Sequence, residues 1–243
     1  MVAMTDSPGE QAGVHVEDHR HADVTGGWLR AATFGAMDGL VSNTALIAGV
    51  AASASAHTVV ISGVAGLLAG SFSMALGEYT SVTTANEQID SEVHVERKSF
   101  ARQPEAEQAE LVAKLVALGM SAETAAKASE EIHQDDHKAI NFHLIQELGV
   151  DPQDKPSPWL AAGSSFVMFA IGAIIPLIPY LLGYESLWAG LAFGGVGLLL
   201  AGAAAARITR RSPIVGSARQ LTFGAVAIGA TYLVGHLIGV AAT

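Results

Sequence analysis

Apolar residues along this chain gather into five blocks, each of 20 or more positions, separated by charged stretches. The blocks run from Trp28 to Ala56, Thr58 to Tyr79, Trp159 to Leu182, Leu187 to Ala206 and Gln220 to Val240. At 1.5 Å of rise per residue, about 20 helical residues cross the hydrocarbon of a bilayer, so each block predicts a membrane span. Arg30 and Asp38 are the charges inside the first block, and Glu78 closes the second.

Residues 87–156 are a different material, with fifteen Asp and Glu against seven Lys and Arg. No Pro or Gly falls between Gly77 and Pro104, so the second helix is predicted to run on into this insert. Pro104 is suited to open the next helix. Gly119 ends it, and Ser121 caps a stretch that reaches Gly149 with a break near Asp135-Asp136. The apolar stripes of these helices carry acids. Ile89, Val93 and Phe100 share their face with Glu96. Leu111, Leu115 and Leu118 follow Glu107, with Glu110 beside it. Ile140, Leu144 and Leu148 enclose His143 and Glu147. Carboxylates aimed at an interior need a cation there, so Glu96, Glu107, Glu110, His143 and Glu147 are candidate metal ligands. Solvated acids on short helices are the competing reading. "HQDDH" (residues 133–137) has His133 and His137 one turn apart, but Gln134 stands where a zinc protease has its Glu. It reads as a solvated face or an accessory site. His15, His19 and His21 read as part of a flexible tail, with loose metal binding as the other option.

The pattern therefore predicts an all-α fold: an integral membrane five-helix bundle with a small cytoplasmic helical domain inserted between transmembrane helices two and three. Residues 1–27 form a flexible cytoplasmic N-terminal tail, 28–86 the first spans, 87–156 the acidic metal-binding domain and 157–243 the remaining spans. The thirteen Lys and Arg precede or just enter the first span, or lie in the connections from span two to three and from span four to five. The connections "SAH" and "GYES" carry none. By the positive-inside rule the N-terminus and the insert are cytoplasmic and the C-terminus is outside, in the plasma (inner) membrane if the host is prokaryotic. The first residues lack the basic region of a secretory signal, so no cleavage is expected.

Composition narrows the chemistry. The chain has no Cys, which removes disulfides and thiolate metal sites. Its net charge of −10 argues against nucleic-acid binding. Glu130 and His133 make one Glu-x-x-His, but a di-iron oxidase needs a second copy, so no enzyme and no prosthetic group are expected.

Asp38 is eight residues past Arg30, about 12 Å deeper along a helix. Met74 and Glu78 share a face of the returning helix. Asp38, Met37, Met74 and Glu78 are thus expected to meet in the cytoplasmic half of the bundle. A charge at that depth costs a few kcal/mol and marks an ion or proton path; a structural Asp bonded to nearby backbone is the alternative. Carboxylate, imidazole and thioether without thiolate suit Fe²⁺ or Mn²⁺ better than Cu⁺ or closed zinc sites. Mg²⁺ prefers all-oxygen sites.

"AMDGLVSNTALIAGVAAS", "GLLAGSFSMALGEYTSV", "FHLIQELGV" and "GAIIPLIPYLL" resemble the vacuolar iron transporter family, over roughly Gly27 to the C-terminus. The resemblance implies export of Fe²⁺ and Mn²⁺ from the cytoplasm, with protons as counter-ion. It also implies a homodimer of five-helix protomers and a three-helix cytoplasmic metal domain. By position Asp38 and Met74 match the family's path ligands, and Glu96, Glu107, Glu110 and Glu147 its domain glutamates. Gly66 departs from a path glutamate of plant-type members, Ser99 from a domain glutamate and His143 from a methionine. The leading reading is a proton-coupled Fe²⁺/Mn²⁺ exporter. A membrane-anchored metal buffer or sensor is the other. Small-residue runs such as "GVAGLLAGS" and "GLAFGGVG" also favour close helix pairing in a dimer.

Overall fold

The structure, a computed structural model, describes residues 27–241 apart from positions 53, 150 and 153, and the side chains of residues 147, 148 and 238–241 lie outside that description. His15, His19 and His21 fall outside the described residues. Among the described residues the fold is all-α: α1 (Gly27–Ala51), α2 (Ala56–Arg102), α3 (Pro104–Ala117), α4 (Ala122–Ile132), α5 (Asp136–Leu148), α6 (Pro158–Ile174), α7 (Ile178–Leu181), α8 (Leu187–Ile208) and α9 (Pro213–Ala241). Five helical stretches are long and apolar enough to cross a membrane: α1, α2, α6 with α7, α8 and α9.

Local sequence explains the boundaries. With no breaker after Gly77, α2 runs for 47 residues. Pro176 and Pro179 lack amide donors, so a 3₁₀ turn at Ile175–Leu177 joins α6 to α7. The last helix starts at Pro213, ahead of the apolar run, because proline is tolerated in a first turn. Gly119, at φ +103°, turns the chain between α3 and α4. The Ser121 hydroxyl then accepts from the Thr124 amide at 3.2 Å. Asp135 caps α5 by accepting from the amides of His137 and Lys138. Leu118, expected on the α3 stripe, lies past the end of that helix and is 69% exposed.

The bundle is drawn together where α1 meets α6. A Cβ on Gly39 would stand 2.2 Å from the Phe169 carbonyl oxygen, and one on Gly172 2.3 Å from that of Ala36. Only glycine lets these backbones touch. The contact presses the Phe169 ring against Gly70 of α2, where a Cβ would lie 2.2 Å from its Cζ. Nearer the other end, Lys155 pairs with Asp90, and the Asn86 amide donates to the Pro156 carbonyl at 3.0 Å. These bonds tie the entry of α6 to α2. The polar second half of α2 packs against α5 through Phe100, Ala139, Ile140 and Leu144. A second small core joins α3 to α4 through Leu111, Leu115 and Ala125.

Candidate metal sites

Among the described residues the insert builds one cluster from three helices. Glu96 comes from α2, Glu107 from the first turn of α3 and His143 from α5, and one ligand atom of each lies within 4.8 Å of the others. The Nδ1 atom of His143 is 3.4 Å from Glu96 Oε1 and 3.7 Å from Glu107 Oε2. All three residues are buried. Each follows from its stripe: Glu96 sits between Val93 and Phe100, Glu107 one turn before Leu111, and His143 beside Leu144. Ligands around a first-row ion stand about 2.0–2.2 Å from it, so this spacing needs only a small closure to hold a cation. Two carboxylates and one imidazole leave further positions for water.

Ser99 was not foreseen as part of this cluster. Its hydroxyl donates to Glu107 Oε1, the kind of outer-shell contact that orients a carboxylate at metal sites. Replacing Ser99 with Ala is expected to weaken Mn²⁺ binding by the insert by about tenfold or more. Calorimetric titration of the detergent-solubilised full chain reads this, and an unchanged affinity counts against the role.

The other candidates are distributed differently. Glu110 pairs with Lys114 at 2.8 Å, and its side chain is 50% exposed. Glu147 is on the last turn of α5, and its side chain lies outside the described set. His137 is exposed. His133 turns inward instead: its ring stacks on Phe100 at a centroid distance of 5.4 Å and meets the His143 ring edge-on at 5.5 Å.

Among the apolar helices, a cleft of about 350 Å³ is lined by Asp38, Ser42, Asn43 and Leu46 of α1, Gly66, Gly70, Ser73 and Met74 of α2, and Phe169 of α6. Asp38 and Met74 therefore share one space. Ser42 and Ser73 are exposed, so the cleft opens on the side of the chain. Met37 and Glu78 do not line it. Glu78 lies one turn beyond Met74, where its Oε2 is 3.7 Å from the Arg30 guanidinium. The expected group of four thus divides into Asp38 with Met74 and Glu78 with Arg30.

A family model described as "VIT family" matches residues 29–236. The "Vacuolar iron transporter" of Acanthamoeba castellanii is 35% identical over 230 residues, covering 91% of this chain and 82% of the relative. "Vacuolar iron transporter 1" of Eucalyptus grandis is 28% identical, covering 89% of each chain. "Vacuolar iron transporter homolog 5" of Oryza sativa is 33% identical, covering 81% of this chain and 78% of the relative.

Proposed function

The chain belongs to the VIT family, and from that premise we propose that it carries Fe²⁺ or Mn²⁺ across a membrane, out of the cytoplasm and in exchange for protons. The observation that carries this reading is the cleft shared by Asp38 and Met74, cut into helices long and apolar enough to span a bilayer. A carboxylate held among such helices is costly unless a cation meets it.

In this reading α1, α2, α6 with α7, α8 and α9 are the five spans of a membrane bundle. The 47 residues of α2 reach about 70 Å, against about 30 Å of hydrocarbon, so its polar half stands in the cytoplasm with α3 to α5. Trp28 and Trp159 mark the cytoplasmic boundary and Trp188 the opposite one; exposures of 45%, 75% and 79% suit aromatic side chains at lipid interfaces. The cluster of Glu96, Glu107 and His143 captures metal below the bundle. Asp38 and Met74 then take the dehydrating ion, with Glu78 and Arg30 at the mouth. Ligands that release a metal ion become free to take up protons, which supplies a route to exchange.

The opening at Ser42 and Ser73 supports a homodimer. Facing lipid, these hydroxyls and Asp38 would border hydrocarbon. A second copy would close the cleft and bring a second carboxylate to the same path. Because the chain has no native Cys, Ser42→Cys is expected to cross-link between protomers under oxidation. No cross-link, together with an active species of monomer mass, overturns the shared path. The function itself is tested in sealed proteoliposomes containing only this protein. Uptake of Mn²⁺ or Fe²⁺ driven by an acidic lumen is expected. Metal binding without uptake points to the buffering alternative.

A further inference from the structure

Asn43 lies five residues beyond Asp38 on α1 and is only 2% exposed. Its Nδ2 donates to the Ala173 carbonyl of α6 at 2.6 Å. That bond fixes which way the amide faces, because the flipped amide would set oxygen against oxygen. The Oδ1 atom is therefore turned away from Ala173, and it is buried with no hydrogen-bond partner. It faces α2 at Gly66, where a Cβ would lie 3.1 Å from it. Both residues line the cleft that holds Asp38 and Met74. Buried carbonyl oxygens are seldom left unmet, and this one stands at a cleft that also holds the Asp38 carboxylate.

We propose that Asn43 Oδ1 is a ligand of the transported ion, supplied from α1 at the level where Gly66 leaves α2 without a side chain. The assignment rests on the transport reading. Carbonyl oxygen is an acceptable donor for Mn²⁺ and, beside a carboxylate, for Fe²⁺. Being neutral, it replaces a water of the ion without adding a charge that would hold it in place. Conduction needs that balance between entering and leaving. The hydrogen bond to Ala173 aims the amide, so Asn43 joins α1 to α6 and presents its oxygen to the path at once.

The test separates those two roles in proteoliposomes, with Mn²⁺ as the probe. Asn43→Ala is expected to raise the KM for Mn²⁺ by at least about tenfold, the scale on which even outer-shell partners alter metal affinity. Gly66→Glu added to Asn43→Ala, with Leu46→Ala to clear the Cδ2 that would stand 2.5 Å from the new Cβ, puts a carboxylate into the vacated space and restores KM to within about threefold of the protein carrying Leu46→Ala alone. A purely structural Asn43 would not be rescued from α2. An unmoved KM in Asn43→Ala, or a raised KM that Gly66→Glu leaves raised, overturns the assignment. Should Asn43→Ala fail to give a monodisperse protein, Asn43→Asp decides: it keeps an oxygen and loses the donor to Ala173. A KM at or below wild type supports the ligand role, and a KM raised about tenfold or more overturns it. Wild type run in parallel separates the layers of the argument. If it moves no Mn²⁺, the transport reading falls and this assignment with it; if it is active while the Asn43 variants are unmoved, only the assignment falls.

Discussion

Replacing Asp38 with Ala is expected to stop metal flux while leaving the protein folded. Initial Mn²⁺ uptake into proteoliposomes is expected to fall on the order of a hundredfold or more, the consequence of taking away a charge partner of the ion. Folding should survive, because the substitution removes a half-buried carboxylate rather than packing: the tight contacts of α1 run through Gly39, Ala36 and Asn43. Asp38→Asn is expected to be nearly as inactive, since it keeps the shape and loses the charge. A monodisperse Asp38→Ala protein with full flux would remove Asp38 from the path.

Removing the insert cluster has a different signature. The combined variant Glu96→Ala, Glu107→Ala, His143→Ala is expected to lose Mn²⁺ binding by the insert, read by calorimetric titration, because both carboxylates and the imidazole of the cluster are removed. Uptake should slow at low metal and persist at saturating metal, where the cleft fills without help. Glu110→Ala should change little, since Glu110 is half-exposed and paired with Lys114. In the wild type, binding is expected to weaken as pH falls, because carboxylates and imidazole must shed protons before they ligate. Tight binding retained by the combined variant, or binding indifferent to acid, would mean the cluster is only a packing feature.

Much of this was legible in the chain because periodicity and breakers act locally. The absence of Gly and Pro after Gly77 was enough to foresee one long α2, and Pro104, Ser121 and Gly149 marked the ends of the insert helices. Stripe membership put Glu96, Glu107 and His143 on inward faces, and the structure brings them to one point. The misses are matters of neighbours that no helical spacing records. Glu78 shares a face with Met74, yet one further turn carries it to Arg30. Leu118 fits the α3 stripe in number, but the helix has ended before it. Ser99 read as a departure from a family glutamate, and its bond to Glu107 depends on how α3 folds back on α2. Asn43 is not on the Asp38 face of α1, since five residues turn a helix by about 140°; its role emerges only from Ala173 on one side and Gly66 on the other. His133 read as part of a solvated face or an accessory site, while in the fold its ring stacks on Phe100.

The most direct measurement is to locate the ion itself. Anomalous diffraction at the manganese edge, from crystals of the full chain soaked in Mn²⁺, should show a peak in the cleft between Asp38 and Met74 as well as one at Glu96, Glu107 and His143. Density confined to the insert, with the cleft empty in a protein that transports Mn²⁺, would contradict the account.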